Sequence, residues 1–165
     1  MTQMDVVRRL GPLTEHFSWF EVFASDTADR LGIDNMPDGG ELVRVMPRVV
    51  VTAWFLEQVR GYLGDTPMGV NSWWRSAELN AYIPGASRTS NHLLGWAVDA
   101  THRSGPATII QRARARAEGL GWGYELILYP SFAHVAPLPD SPSVRKCLRL
   151  AGGKLVHFEP ATVRT

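Results

Sequence analysis

Ser90-Asn91-His92-Leu93-Leu94-Gly95-Trp96-Ala97-Val98-Asp99 is the stretch from which the rest of the chain is read. It leaves a loop at His92 and enters a segment, Ala97 to Thr101, that is short, apolar and bounded by turn signals, the pattern of a buried strand. A carboxylate in such a strand must be paired, hydrogen-bonded or bound to a metal. The small Gly95 and Ala97 predict close backbone approach between the two polar side chains. A further histidine lies in another apolar segment, Phe132-Ala133-His134-Val135. Two imidazoles and a carboxylate suit zinc, with other divalent metals open, and leave a fourth coordination position for chemistry. Each residue also has an ordinary alternative: His92 as a loop histidine, Asp99 as partner of a backbone amide, His134 as a satisfied core residue.

Working toward the N-terminus, Ser76 can cap a short helix ending at Tyr82, and Met68 to Ser72 reads as a strand. Before it, Leu42, Val45, Met46, Val49, Ala53, Leu56, Val59 and Leu63 recur at helical spacing. Pro47 predicts a kink or a split in that helix. Gly32 to Gly40 is loop chemistry. Ser18 and Glu21 form an S-x-x-E capping box, with Phe17 and Val22 placed as a hydrophobic staple.

Toward the C-terminus, Pro106 opens a helix with Ile109, Ile110, Ala113 and Ala117 inward and Gly119 as its expected cap. Arg112, Arg114 and Arg116 fan around that helix as a solvated face. Tyr124 to Tyr129 and Phe132 to Val135 are strand candidates. Lys146 to Leu150 and Lys154 to Phe158 flank Ala151-Gly152-Gly153, a hairpin signature. The expected class is α+β: N-terminal helices packed on a small, mainly antiparallel sheet that carries the metal residues. One domain over 1–165 is expected, with 1–16 as a flexible N-terminal arm and 146–158 as the C-terminal hairpin.

The chain has 165 residues, 45% hydrophobic and 20% charged, which is globular composition. Seventeen basic and 16 acidic residues leave a net charge of +1, with no bulk attraction for nucleic acid or anionic lipid. The single Cys147 excludes an internal disulfide framework and a thiolate-caged zinc. No apolar run reaches the about 18 residues that span a bilayer. Asp5, Arg8 and Arg9 stand where a secretory signal needs its apolar stretch, so synthesis without a signal peptide is expected.

The Ser90–Asp99 motif, with Asn71-Ser72-Trp73-Trp74-Arg75-Ser76-Ala77-Glu78-Leu79-Asn80 before it and Phe132-Ala133-His134-Val135 after it, resembles the zinc D-alanyl-D-alanine carboxypeptidases. The likeness extends to the branch found in phage endolysins and tail-associated peptidoglycan peptidases, where Phe17-Ser18-Trp19-Phe20-Glu21 and Gly32-Ile33-Asp34-Asn35 also have counterparts. The resemblance implies one zinc held by His92, Asp99 and His134, with a metal-activated water as nucleophile. It implies that Arg75 holds a substrate carboxylate or carbonyl and that Ser90 donates to substrate or braces its loop. The substrate implied is the peptidoglycan stem peptide, cut as an endo- or carboxypeptidase, with no nucleic-acid partner and no membrane insertion. The implied place of action is the cell wall, after release or as part of a virion. Trp73, Trp74, Trp96 and Tyr82 could wall a groove or fill a core.

The pattern departs from the family at the proton carrier. Ser131 stands three residues before His134, where better-known members place an acid. Alignment back from His134 sets Leu128 at the alternative acidic position, while a two-residue shortening sets Glu125 at the earlier one. Glu125 is therefore the candidate base, with a salt-bridged strand residue as its alternative, and His102 reads as a loop histidine, with a substitute ligand or acid as its alternative. The departure leaves a second reading, a non-catalytic, zinc-stabilised wall-binding or phage structural module.

Overall fold

A computed structural model describes residues 3–161. Its contacts divide the chain into two units, Met1–Trp54 with Ser72–Ala97, and Phe55–Asn71 with Val98–Thr165.

The first unit holds α1 (Gln3–Arg9), α2 (Trp19–Phe23), α3 (Asp26–Leu31), most of α4 (Gly39–Tyr62), α5 (Ala77–Tyr82) and a 3₁₀ turn at Asn91–Leu94. The short helices depend on their caps. Ser18 and Glu21 close the expected capping box on α2, Ser25 caps α3, and Ser76 caps α5. Aromatic side chains fill the interior: Phe17 meets Trp73 edge-on at 6.0 Å, and Phe23 meets Trp74 at 5.9 Å. Trp73, Trp74 and Trp96 are core residues, and of the four aromatic groove candidates only Tyr82 is exposed.

α4 runs unbroken through Pro47, so the expected split does not occur. Pro47 lies on the exposed side, and the carbonyl that loses its donor belongs to Val43, which is 73% exposed and open to water. Val45, Val49, Ala53, Leu56 and Val59 are its buried stripe, as the spacing predicts, whereas Met46 from the same pattern is exposed and Leu42 and Leu63 are half-buried.

In the second unit lies a six-stranded sheet of order β1-β2-β4-β3-β5-β6. Its strands are β1 (Gly69–Ser72, whose last residue is counted with the first unit), β2 (Val98–Thr101), β3 (Gly123–Leu128), β4 (Ala133–Leu138), β5 (Arg145–Ala151) and β6 (Lys154–His157). β2–β4, β3–β4 and β5–β6 pair antiparallel, while β3–β5 is parallel. The α+β class with a mainly antiparallel sheet is thus as the sequence led one to expect. β4 continues through Pro137, beyond the last β2 pair at Val98↔Val135, where no ladder partner needs the missing N–H. Gly152 and Gly153 turn the β5–β6 hairpin with φ of +56° and +75°.

α6 (Pro106–Gly119) packs on this sheet through Ile109, Ile110, Ala113 and Ala117. Gly119 is its last helical residue rather than its cap; Leu120 caps it, and the left-handed turn falls on Gly121 at φ +71°. Arg114 is half-buried and ion-pairs with Glu118 at 2.9 Å and with Glu159, so it is held by acidic side chains rather than left to solvent.

Candidate metal centre

The sheet register places the first two groups. Asp99 on β2 is directly opposite His134 on β4, so their side chains leave the same face, and Oδ1 of Asp99 lies 3.0 Å from Nδ1 of His134. Both residues are 6% exposed. His134 is also opposite Ile127 on β3, which puts Glu125, two residues earlier, on that face as well. Oε1 of Glu125 lies 3.5 Å from His134 Nε2, and Oε2 lies 3.5 Å from Lys146 Nζ, its cross-strand neighbour on β5. Leu128 is opposite Ala133 and leaves the other face. Ser131 is exposed in the β3–β4 turn. The sheet therefore turns Glu125, not Leu128 or Ser131, toward the His134 side.

His92 stands in the 3₁₀ turn and is 2% exposed. Its Nδ1 hydrogen-bonds the Trp73 carbonyl at 2.5 Å, which puts the proton on Nδ1 and leaves Nε2 as the ligating atom. Its backbone carbonyl accepts from Arg75 N at 3.3 Å, and its amide donates to Ser90 Oγ at 3.3 Å. Ser90 thus braces the turn, one of the two roles expected of it.

Gly95 ends this turn with φ +82°. A Cβ there would lie 3.1 Å from Val49 Cγ2 and 3.2 Å from the Val45 carbonyl, so the glycine is required by its approach to α4 rather than by room between His92 and Asp99. Nε of Arg75 donates to Ser72 Oγ at 2.9 Å, a brace not foreseen from the sequence.

His92, Asp99 and His134 each offer one ligand atom, and these atoms all lie within 4.8 Å of one another. His102 is not among them. Its Nδ1 accepts from the Ser104 amide at 3.1 Å and its Nε2 meets Thr66 Oγ1, so it is a structural loop residue, as its sequence reading held.

The electrostatics fit a cation. Burial lowers the proton affinity of His134, but the hydrogen bonds and charges of Asp99 and Glu125 outweigh it and push the imidazole up to about 9. Two carboxylates around a buried ring demand positive charge, and a divalent ion meets that demand better than one proton does. Imidazole and carboxylate without thiolate are ordinary zinc donors, and three of them make an open site.

Two comparisons agree with this chemistry. Residues 15–136 match the model of the Peptidase M15 family. A curated relative, the zinc D-Ala-D-Ala carboxypeptidase of Streptomyces albus G, is 37% identical over 91 residues, which cover 52% of this chain. The match spans 35% of that relative's length. His92, Asp99 and His134 are a donor set that fits zinc, the metal in that relative's name. With the family model extending over most of the chain and the ligand group inside the matched region, this protein belongs to the M15 peptidase family.

Proposed function

We propose that the protein is a zinc peptidase that hydrolyses a peptide bond in the peptidoglycan stem peptide, with His92, Asp99 and His134 as the metal ligands. The observation that carries this reading is the buried convergence of two imidazoles and a carboxylate, with Glu125 on the same sheet face as two of them. When bound, zinc polarises a carbonyl and lowers the pKa of a coordinated water to about 7.

The protein's own residues supply the rest. Hydrolysis joins a water oxygen to the carbonyl carbon, breaks the C–N bond and must deliver a proton to the departing amine. Glu125 takes that proton from the water and hands it to the nitrogen. Lys146 holds the other oxygen of the same carboxylate. Arg75 receives a substrate carboxylate or carbonyl, for which its planar fork is suited. Ser90 accepts from the His92 amide and retains its hydroxyl proton to donate to substrate. The relative's name and the motif likeness support D-alanine-containing peptides as substrate, cut internally or at the terminus. An endolysin or virion-borne enzyme acting on the wall from outside its cell of synthesis is the biological setting we infer.

Digestion of purified peptidoglycan, read by mass spectrometry of released peptides, tests the reaction. Asp99→Ala should lose zinc and cleavage together. Glu125→Gln should keep zinc while kcat falls by about 10²- to 10⁴-fold. A zinc-loaded wild type that cuts no stem peptide but pulls down with cell walls would replace the enzyme by a binding module. Addition to intact and to permeabilised cells, followed by turbidity, tests the setting.

A further inference from the structure

Asn35 sits in the loop between α3 and α4, far along the chain from every ligand, yet it is 6% exposed and its amide is committed on both sides. Nδ2 donates to the Phe23 carbonyl at 2.9 Å and to the Trp74 carbonyl at 3.2 Å, while Oδ1 accepts from Ser76 N at 2.8 Å. The amide orientation is forced, because the reverse would set its oxygen against two carbonyls.

These bonds act on successive peptide planes. In the plane joining residues 73 and 74, the Trp74 amide donates to Val22 O at 3.1 Å, and the Trp73 carbonyl takes His92 Nδ1. In the plane joining 74 and 75, the Trp74 carbonyl takes Asn35, and the Arg75 amide donates to the His92 carbonyl. In the plane joining 75 and 76, the Ser76 amide donates to Asn35. Asn35 therefore grips the backbone on both sides of Arg75, and two of these planes grip His92, the first by its ring and the second by its main chain.

We infer that Asn35 is a positioning residue of the metal centre: by fixing segment 73–76 it fixes the ring of His92, and so sets the affinity for zinc. This rests on His92 being a ligand, as proposed above. Partners that orient a ligating histidine typically contribute about 10- to 100-fold in metal affinity. Asn35 acts one step further out, through the Trp74 carbonyl in the peptide plane next to the one that holds the ring.

The test compares zinc affinity, by chelator competition, with thermal stability in Asn35→Ala and in Val59→Ala, a core truncation in α4. Both variants should melt earlier. Measured well below both midpoints, Asn35→Ala should bind zinc about tenfold or more weakly, while Val59→Ala stays within about twofold of wild type. Equal zinc affinity in Asn35→Ala and wild type overturns the inference while leaving the metal reading intact. A wild-type chain that takes up no zinc overturns both. Should Asn35→Ala not fold, hydrogen exchange on the zinc-free wild type decides: Ser76 and Arg75 amides should exchange as slowly as the core, and rapid exchange there overturns the clamp.

Discussion

At the scale of single residues, the site is built as much by main chain as by side chain. Gly95 shows why. Its φ of +82° disfavours any side chain, a Cβ there would press on Val49 and the Val45 carbonyl, and the turn it ends carries His92. Gly95→Ala should destabilise the fold by about 2–3 kcal/mol, read as a lower denaturant midpoint, through backbone strain together with the close contact. Activity per folded molecule should fall too, since the 3₁₀ turn must shift to relieve the contact. The pairing of Asp99 with His134 was foreshadowed by the sequence, because buried polar residues in short apolar segments need partners. The Asn35 clamp was not. An asparagine in a Gly-rich loop reads as turn chemistry, and nothing in its neighbours announces bonds to residues about forty positions away.

At the scale of elements, helices with caps were the most legible. Ser18 and Ser76 cap as their side-chain chemistry dictates, whereas the α3 cap at Ser25 was not anticipated. The split expected at Pro47 does not occur because the rule against proline in helix interiors concerns one hydrogen bond and one steric clash, and burial of the α4 stripe outweighs both. It follows that Pro47→Ala should stabilise the protein by about 1–3 kcal/mol, an increase visible in urea or thermal unfolding. A drop in stability would mean that the proline acts mainly by restricting the unfolded chain. Strand edges were less legible than helix starts. The register that separates Glu125 from Leu128 depends on which residues face one another across β3 and β4, and periodicity within one strand does not reveal its partner.

At the scale of the whole molecule, α+β organisation followed from the order of patterns along the chain, whereas the parallel β3–β5 pairing did not. A hairpin signature at 151–153 predicts β5 beside β6 but is silent on what lies on the other side of β5. That pairing helps bury Cys147, opposite Leu126. Burial lifts its thiol from an ordinary value of 9.0 to about 11, with Glu159 and Glu118 adding to the shift and Arg114 opposing it. Since the unfolded thiol ionises first, its contribution to stability is complete below about pH 9 and is lost as pH rises through about 11. Urea midpoints should fall between pH 8.5 and about 11, and should fall less in Cys147→Ala. The same burial predicts slow labelling of Cys147 by a thiol reagent in the native state and rapid labelling in urea.

The bond from His92 to the Trp73 carbonyl has a consequence for how this protein tolerates change. A carbonyl is encoded by every codon, so replacing Trp73 alters packing while the acceptor stays in the chain. Libraries that scan one side chain at a time will score position 73 for its bulk alone and never register its oxygen. Drift can therefore rewrite much of the aromatic interior while the imidazole keeps its tautomer, provided the peptide plane is not rotated. An ester substituted for the amide that follows Trp73 weakens that oxygen as an acceptor without touching any side chain, and also removes the Trp74 N–H that donates to Val22 O, so a fall in zinc affinity larger than the fall in stability would expose the dependence.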